Sequence, residues 1–151
     1  MKKLHLKLQE VLQQKQTENQ DGMDLSIVVL SKENNHVNLI FGASGQKFYY
    51  TSTDETKIKQ IKATDKKIGG NKKITKDFEE HHLQLPQGTI LYLSSDGYID
   101  QNDFQRNRFG SQRFAELLEE IHESPLVKQK EILYFSSETI NLLSFLRKRI
   151  S

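Results

Sequence analysis

Few residues of this chain have types and spacing suited to chemistry, and the most suggestive are Ser94, Ser95, Asp96 and Gly97. They close an uncharged run, Thr89-Ile90-Leu91-Tyr92-Leu93. Such a run, fed by a turn at Pro86 and Gly88, reads as a buried strand. An ionised carboxylate at the end of a buried strand is costly unless a cation or hydrogen bonds compensate for lost water. Asp96 is therefore a candidate metal ligand. The competing reading is a plain turn, with Asp96 bonding the backbone and Gly97 taking a positive φ. Ser94 and Ser95 read as strand-end residues rather than nucleophiles, since no Ser-His-acid spacing accompanies them. His81 and His82 are adjacent, and on a strand adjacent side chains point to opposite faces. Asp100 and Asp103 read as solvated loop residues.

Composition narrows the classes. With 151 residues the chain suits one domain able to bury about two-thirds of its unfolded surface. Basic and acidic residues number 22 and 20 and are interspersed, so no nucleic-acid partner is expected. The densest basic stretch, Lys57 to Lys73, suggests an anionic polymer but lacks the aromatic interleaving of a single-strand platform. The absence of cysteine excludes disulfides and thiolate metal sites and permits a reducing compartment. No apolar run reaches membrane-spanning length, and Lys7 and Glu10 interrupt any signal-peptide core. These features suggest a soluble, cytoplasmic protein with no membrane partner.

The elements that must position Asp96 follow from periodicity. Leu4, Leu8, Val11 and Leu12 make the stripe of an amphipathic helix over about Lys2 to Gln16. Leu25 to Leu30 reads as a buried strand rich in β-branched residues, and Val37 to Ala43 is its antiparallel neighbour because the connection is too short for a crossover. Phe48 to Tyr50 is a further strand, Lys57 to Lys62 an edge strand, Ile68 to Asn71 a flexible loop, and Phe78 to Leu85 a strand. Phe114, Leu117, Leu118 and Ile121 share one face of a helix over Gln112 to Glu123. Ser124-Pro125 opens another helix to Phe135, with Ile132 and Leu133 inward. The tail from Ser137 reads as helix or short strand, its basic end at Arg147 to Arg149 complementing a helix dipole. Helix, strands, then helices make an α+β pattern, with antiparallel β-sheet packed against helices.

In that order the chain carries DGMD at Asp21–Asp24, FGAS at Phe41–Ser44, IGG at Ile68–Gly70 and SSDGYIDQ at Ser94–Gln101. Together these resemble the SpoIIE-like branch of the PPM (type 2C) metal-dependent protein serine/threonine phosphatases. The resemblance implies two β-sheets sandwiched between helix layers, here as a partial α-β-β-α sandwich. It also implies two magnesium or manganese ions between the sheets. Such ions share and deprotonate a water that attacks phosphorus in line, with no protein nucleophile. By match to the family's Ser-Asp-Gly element, Asp96 belongs to the metal site as a ligand, and Gly97 would let the backbone turn close to the metal. Asp21, Gly22 and Asp24 match a strand-opening motif that lies near the site, though the resemblance does not make them ligands, and Ser95 also lies near the site. The partners implied are a phosphoprotein substrate or a regulatory protein, as in bacterial partner-switching signalling.

Two departures follow. The family's Gly-Asp and Gly-His-Gly motif is absent, and no Asp follows Asp103 to stand for the family's final Asp-Asp pair. Residues 1–151 are thus expected to form a single, apparently incomplete domain and at best a very weak phosphatase. A non-catalytic partner-binding module on the same scaffold is the alternative. Missing first strands would expose sheet edges, so a homodimer, or a missing N-terminal segment that supplies those strands, is expected.

Overall fold

A computed structural model describes residues 1–52, 55–70, 77–102 and 106–136. In chain order the elements are α1 (Lys2–Val11), β1 (Gly22–Met23), β2 (Leu25–Glu33), β3 (His36–Ser44), β4 (Lys47–Thr51), β5 (Lys59–Lys62), β6 (Ile68–Gly69), β7 (Glu80–Pro86), β8 (Ile90–Leu93), α2 (Asp96–Ile99) and α3 (Gly110–Ile121). A last helix, α4, covers 126–136. They fall into two compact units: Met1–Phe48 with Ile61–Thr89, and Tyr49–Gln60 with Ile90–Ser151. The expected tail element, Lys72, Lys73 and Asp103 lie outside the described residues.

The first unit is built on the sheet β2-β3-β7. β2 and β3 pair antiparallel without interruption from Leu25↔Ser44 to Glu33↔His36, as the short connection requires. β7 pairs antiparallel with the other side of β3, setting Leu39 opposite Leu83 and Phe41 opposite His81. Alternation sends Leu39, Phe41 and Ala43 into the core, where the Phe41 and Phe48 rings stack at 4.9 Å. His81 lies against Phe41 with ring centroids 6.2 Å apart, whereas His82 is exposed. The two histidines do face opposite ways.

Helix α1 departs from expectation twice. It ends at Val11 rather than near Gln16 because the chain makes a Schellman turn. Gln13 takes a left-handed φ of 50°, Gln13 N–H donates to Glu10 O, and Gln14 N–H donates to Gln9 O. Its buried face is also not the leucine stripe. Leu4 and Val11 are 41% and 65% exposed, while His5 and Gln9 are buried. The reason is what the helix packs on, which is main chain. Gly69 N–H donates to His5 Nδ1 at 3.0 Å, and Gln9 Nε2 donates to Gly70 O at 2.6 Å. Just beyond the helix, buried Gln14 accepts from Gly70 N–H and donates to Asp21 O. The Ile68–Gly70 segment is therefore no flexible loop. Ile68 and Gly69 are buried and pair antiparallel with β1.

The second unit holds the sheet β5-β4-β8, with β5 at an edge as expected, and the boundaries between units fall within β4 and β5. Its core joins Tyr49 to Phe114, Leu118 and Ile121, one face of α3, with Ile132 and Leu133 of α4 packed against it. Buried Gln129 ties α4 in place. Its Nε2 donates to His122 O and Ser124 O, and its Oε1 accepts from Tyr92 Oη.

The His5 contact has a pH signature. Burial, then the nearby Lys66 charge, holds its imidazolium pKa below the ordinary value, so the folded chain favours the neutral ring. The native state then binds fewer protons than the unfolded chain once pH falls to about 6.5. This contribution to stability is complete above that pH and is lost as pH falls through the lowered folded value. Urea unfolding should show a lower midpoint at pH 5.5 than at pH 7.5. His5→Leu should cost about 1–3 kcal/mol at pH 7.5 by orphaning the Gly69 N–H, and it should flatten the pH dependence.

Candidate functional site

Ser95, Asp96 and Gly97 lie in the second unit, and Asp21, Gly22 and Asp24 in the first. β8 covers only Ile90–Leu93, and it is half-buried rather than buried, with Leu93 51% exposed. Ser95 is the N-cap of α2 in an extended conformation, with no side-chain cap bond, and Asp96 opens the helix. A carboxylate in a first turn is favoured by the free N–H groups there. The helix is anchored by its other side. Tyr98 packs edge-on to Phe109 at 5.6 Å and against Phe114 at 5.1 Å, and its hydroxyl donates to Leu133 O at 3.1 Å. Burial raises the Tyr98 phenol above its usual pKa, and pushes Tyr49 up to about 12, so both stay protonated at neutral pH.

Tyr98 and Ile99 face inward, so Asp96 and Gly97 face solvent. The desolvation cost that singled out Asp96 does not arise. Nor does Gly97 need to be glycine for its backbone. It is helical, lies outside the left-handed residues, and a Cβ there would meet only Ser95 Oγ at 3.5 Å. The turn reading, which required a positive φ at Gly97, is corrected. Asp100 is exposed and ion-paired with Arg108.

In the first unit, Asp21 is exposed. Its N–H donates to Asn19 Oδ1, and its carbonyl receives Gln14. Gly22 pairs with Gly69 across β1 and β6. Asp24 is the unusual residue. Its Oδ1 is sealed from solvent with no hydrogen-bond partner, and the carboxylate lies over Gly45, where a Cβ would come within 2.5 Å of Oδ1. Gly45 holds φ at +71°, and its N–H donates to Thr64 O. Next to it, buried Ser44 donates to Lys66 O. Sequence reasoning missed the Asp24–Gly45 contact. The available signal was the second glycine of Gly42-Ala43-Ser44-Gly45, which ends a strand opposite the one Asp24 precedes.

Among the described residues no group of three or more His, Asp or Glu side chains is placed to hold a metal ion. The Asp96 carbonyl accepts from Asp100 N–H, but its carboxylate has no hydrogen-bond or ion-pair partner among the described residues. The donors among the described residues do not by themselves fit a pair of magnesium or manganese ions. Two dications about 4 Å apart repel by about 4 kcal/mol even at the dielectric of water. One exposed carboxylate offsets little of that.

The sequence model of the stage II sporulation protein E (SpoIIE) family matches residues 1–141, and the chain belongs to that family. Its structure is similar to the SiaA-PP2C domain of Pseudomonas aeruginosa, with a TM-score of 0.74 and 24% identity over 90% of this chain and 50% of that one. The chain thus spans about half the length of that relative. The α+β fold of antiparallel sheets and helices is that of a PPM-type phosphatase domain. No protein of curated function matches the chain.

The two glycine environments make opposite forecasts. Gly45→Ala should destabilise by about 1–2 kcal/mol from the left-handed backbone alone, and more from the Asp24 contact. Gly97→Ala should be neutral or stabilising by up to about 1 kcal/mol, as for glycine replaced within a helix. Urea denaturation of the two variants measures both.

Proposed function

We propose that this chain is a phosphoprotein-recognising domain on the PPM phosphatase scaffold, with at most weak hydrolysis of phosphoserine or phosphothreonine esters by its own residues. Asp96 carries the reading. It opens α2 exposed, and among the described residues its carboxylate has no partner and no ligand cluster exists. The scaffold itself is supported by the family match. The side chains that order α2, Tyr98 and Ile99, pack against the core of Tyr49, Phe114, Leu118 and Ile121. A surface that presents Asp96 needs no metal to stay folded.

The partner in this reading is a regulatory phosphoprotein of the kind used in bacterial partner switching, and the setting is cytoplasmic. Among the described residues no helix is long and apolar enough to cross a membrane. The family match spans both compact units, which supports reading residues 1–151 as one domain. The catalytic reading is favoured by Ser94-Ser95-Asp96-Gly97, which retains the family's Ser-Asp-Gly element.

A phosphatase assay separates the two. With a phosphoserine peptide and millimolar manganese, turnover by the chain should lie at least about a hundredfold below the 1–10³ s⁻¹ typical of enzymes. Turnover near ~1 s⁻¹ that Asp96→Asn abolishes would establish a catalyst instead.

A further inference from the structure

The sheet β2-β3-β7 has two outer edges, and they are unlike. β7 is guarded. It ends on Pro86, which cannot donate to a ladder, and it carries Glu80, His82 and Gln84 exposed along one face. β2 has no such device over its first seven residues. Leu25 to Ser31 contains no charge and no proline, and its nine register pairs with β3 run without a bulge. Ile27, Val29 and Leu30 are 40%, 53% and 53% exposed, so apolar side chains on both faces of this strand meet water. A long, regular, apolar edge is a template for another strand.

The sequence of β2 says which strand. Two copies laid antiparallel with Val29 opposite Val29 pair all nine residues. Val28 then meets Leu30, Ile27 meets Ser31, Ser26 meets Lys32 and Leu25 meets Glu33. The apolar residues fall at the centre and no like charges oppose each other. Centring on Leu30 instead shortens the ladder and sets Val28 against Lys32 and Ile27 against Glu33. The maximal overlap is thus also the matched register, as directly opposed pairs require.

We propose that the chain forms a two-fold dimer by β2–β2 pairing centred on Val29, joining two three-stranded sheets into one of six strands. The contact is isologous, with each copy offering the same strand. Its centre is uncharged, so it persists at high salt, unlike association through the lysine-rich surface.

The native chain has no cysteine, which permits a direct register test. Val29→Cys sets the new thiol opposite its own copy, with Cβ atoms about 4.5–5.5 Å apart, and mild oxidation should give a covalent dimer. Glu33→Cys leaves its two thiols roughly 27 Å apart along the ladder and should not cross-link. Sedimentation of the native chain at tens of micromolar should show a dimer in 0.1 M and 0.5 M salt alike. Val29→Lys should weaken it at least tenfold with an unchanged circular dichroism spectrum, and Gln84→Lys on β7 should leave it intact. A monomeric native chain at 100 μM overturns the proposal. So does cross-linking of Glu33→Cys as fast as Val29→Cys, or a dimer that Val29→Lys leaves undisturbed.

Discussion

The first unit depends on the hydrogen bond that Gly69 N–H donates to His5 Nδ1, and on the two glutamines that extend it. An amphipathic helix ordinarily buries apolar side chains against apolar side chains. Here the buried face of α1 is polar because it lies on main chain whose donors and acceptors need partners. Gly69 makes the close approach feasible. Its φ is +85°, and a Cβ would lie 2.8 Å from Leu8 Cδ2 and 3.0 Å from Asp21 O. Leucine on one side and backbone on the other leave room only for hydrogen. The net worth of each hydrogen bond is modest, but the cost of orphaning a buried partner is not, so the contact is specified by what its loss would leave behind.

Charge organises the rest. Asp24 has one carboxylate oxygen sealed and unpartnered over Gly45, whereas Asp96 stands open to water at the start of α2. The family fold keeps the framework on which metal chemistry is built elsewhere, while the ligand side chains described here are too few to neutralise two dications. Around α2 the packing is aromatic, with Tyr98 against Phe109 and Phe114.

Much of this was legible in the sequence. The short polar turn after β2 placed β3 as its antiparallel neighbour, and turn residues bounded β7 and β8. The spacing of Phe114, Leu118 and Ile121 gave both α3 and its buried face. The order of DGMD, FGAS, IGG and SSDG pointed to the family that the comparison establishes. The misreadings share a source in the surroundings of each segment: burial was expected for the α1 leucines and Asp96, and exposure for Ile68 and Gly69, which are buried and paired. The leucine stripe of α1 presupposed an apolar partner, and the helix end was missed because Gln13, not glycine, takes the left-handed position. The expected desolvation of Asp96 rests on a buried strand, yet Leu93, three residues before it, is half exposed. Hydrophobic periodicity reports what a face would prefer to touch. It does not report whether that face meets side chain, main chain or water.

The most direct measurement is a titration of the chain with manganese, followed by calorimetry and by paramagnetic broadening of amide resonances. The account requires no micromolar site, with millimolar broadening confined to the exposed start of α2 around Asp96 and Gly97. Two ions bound at micromolar affinity would contradict it, because that affinity demands carboxylates in numbers the described structure does not bring together.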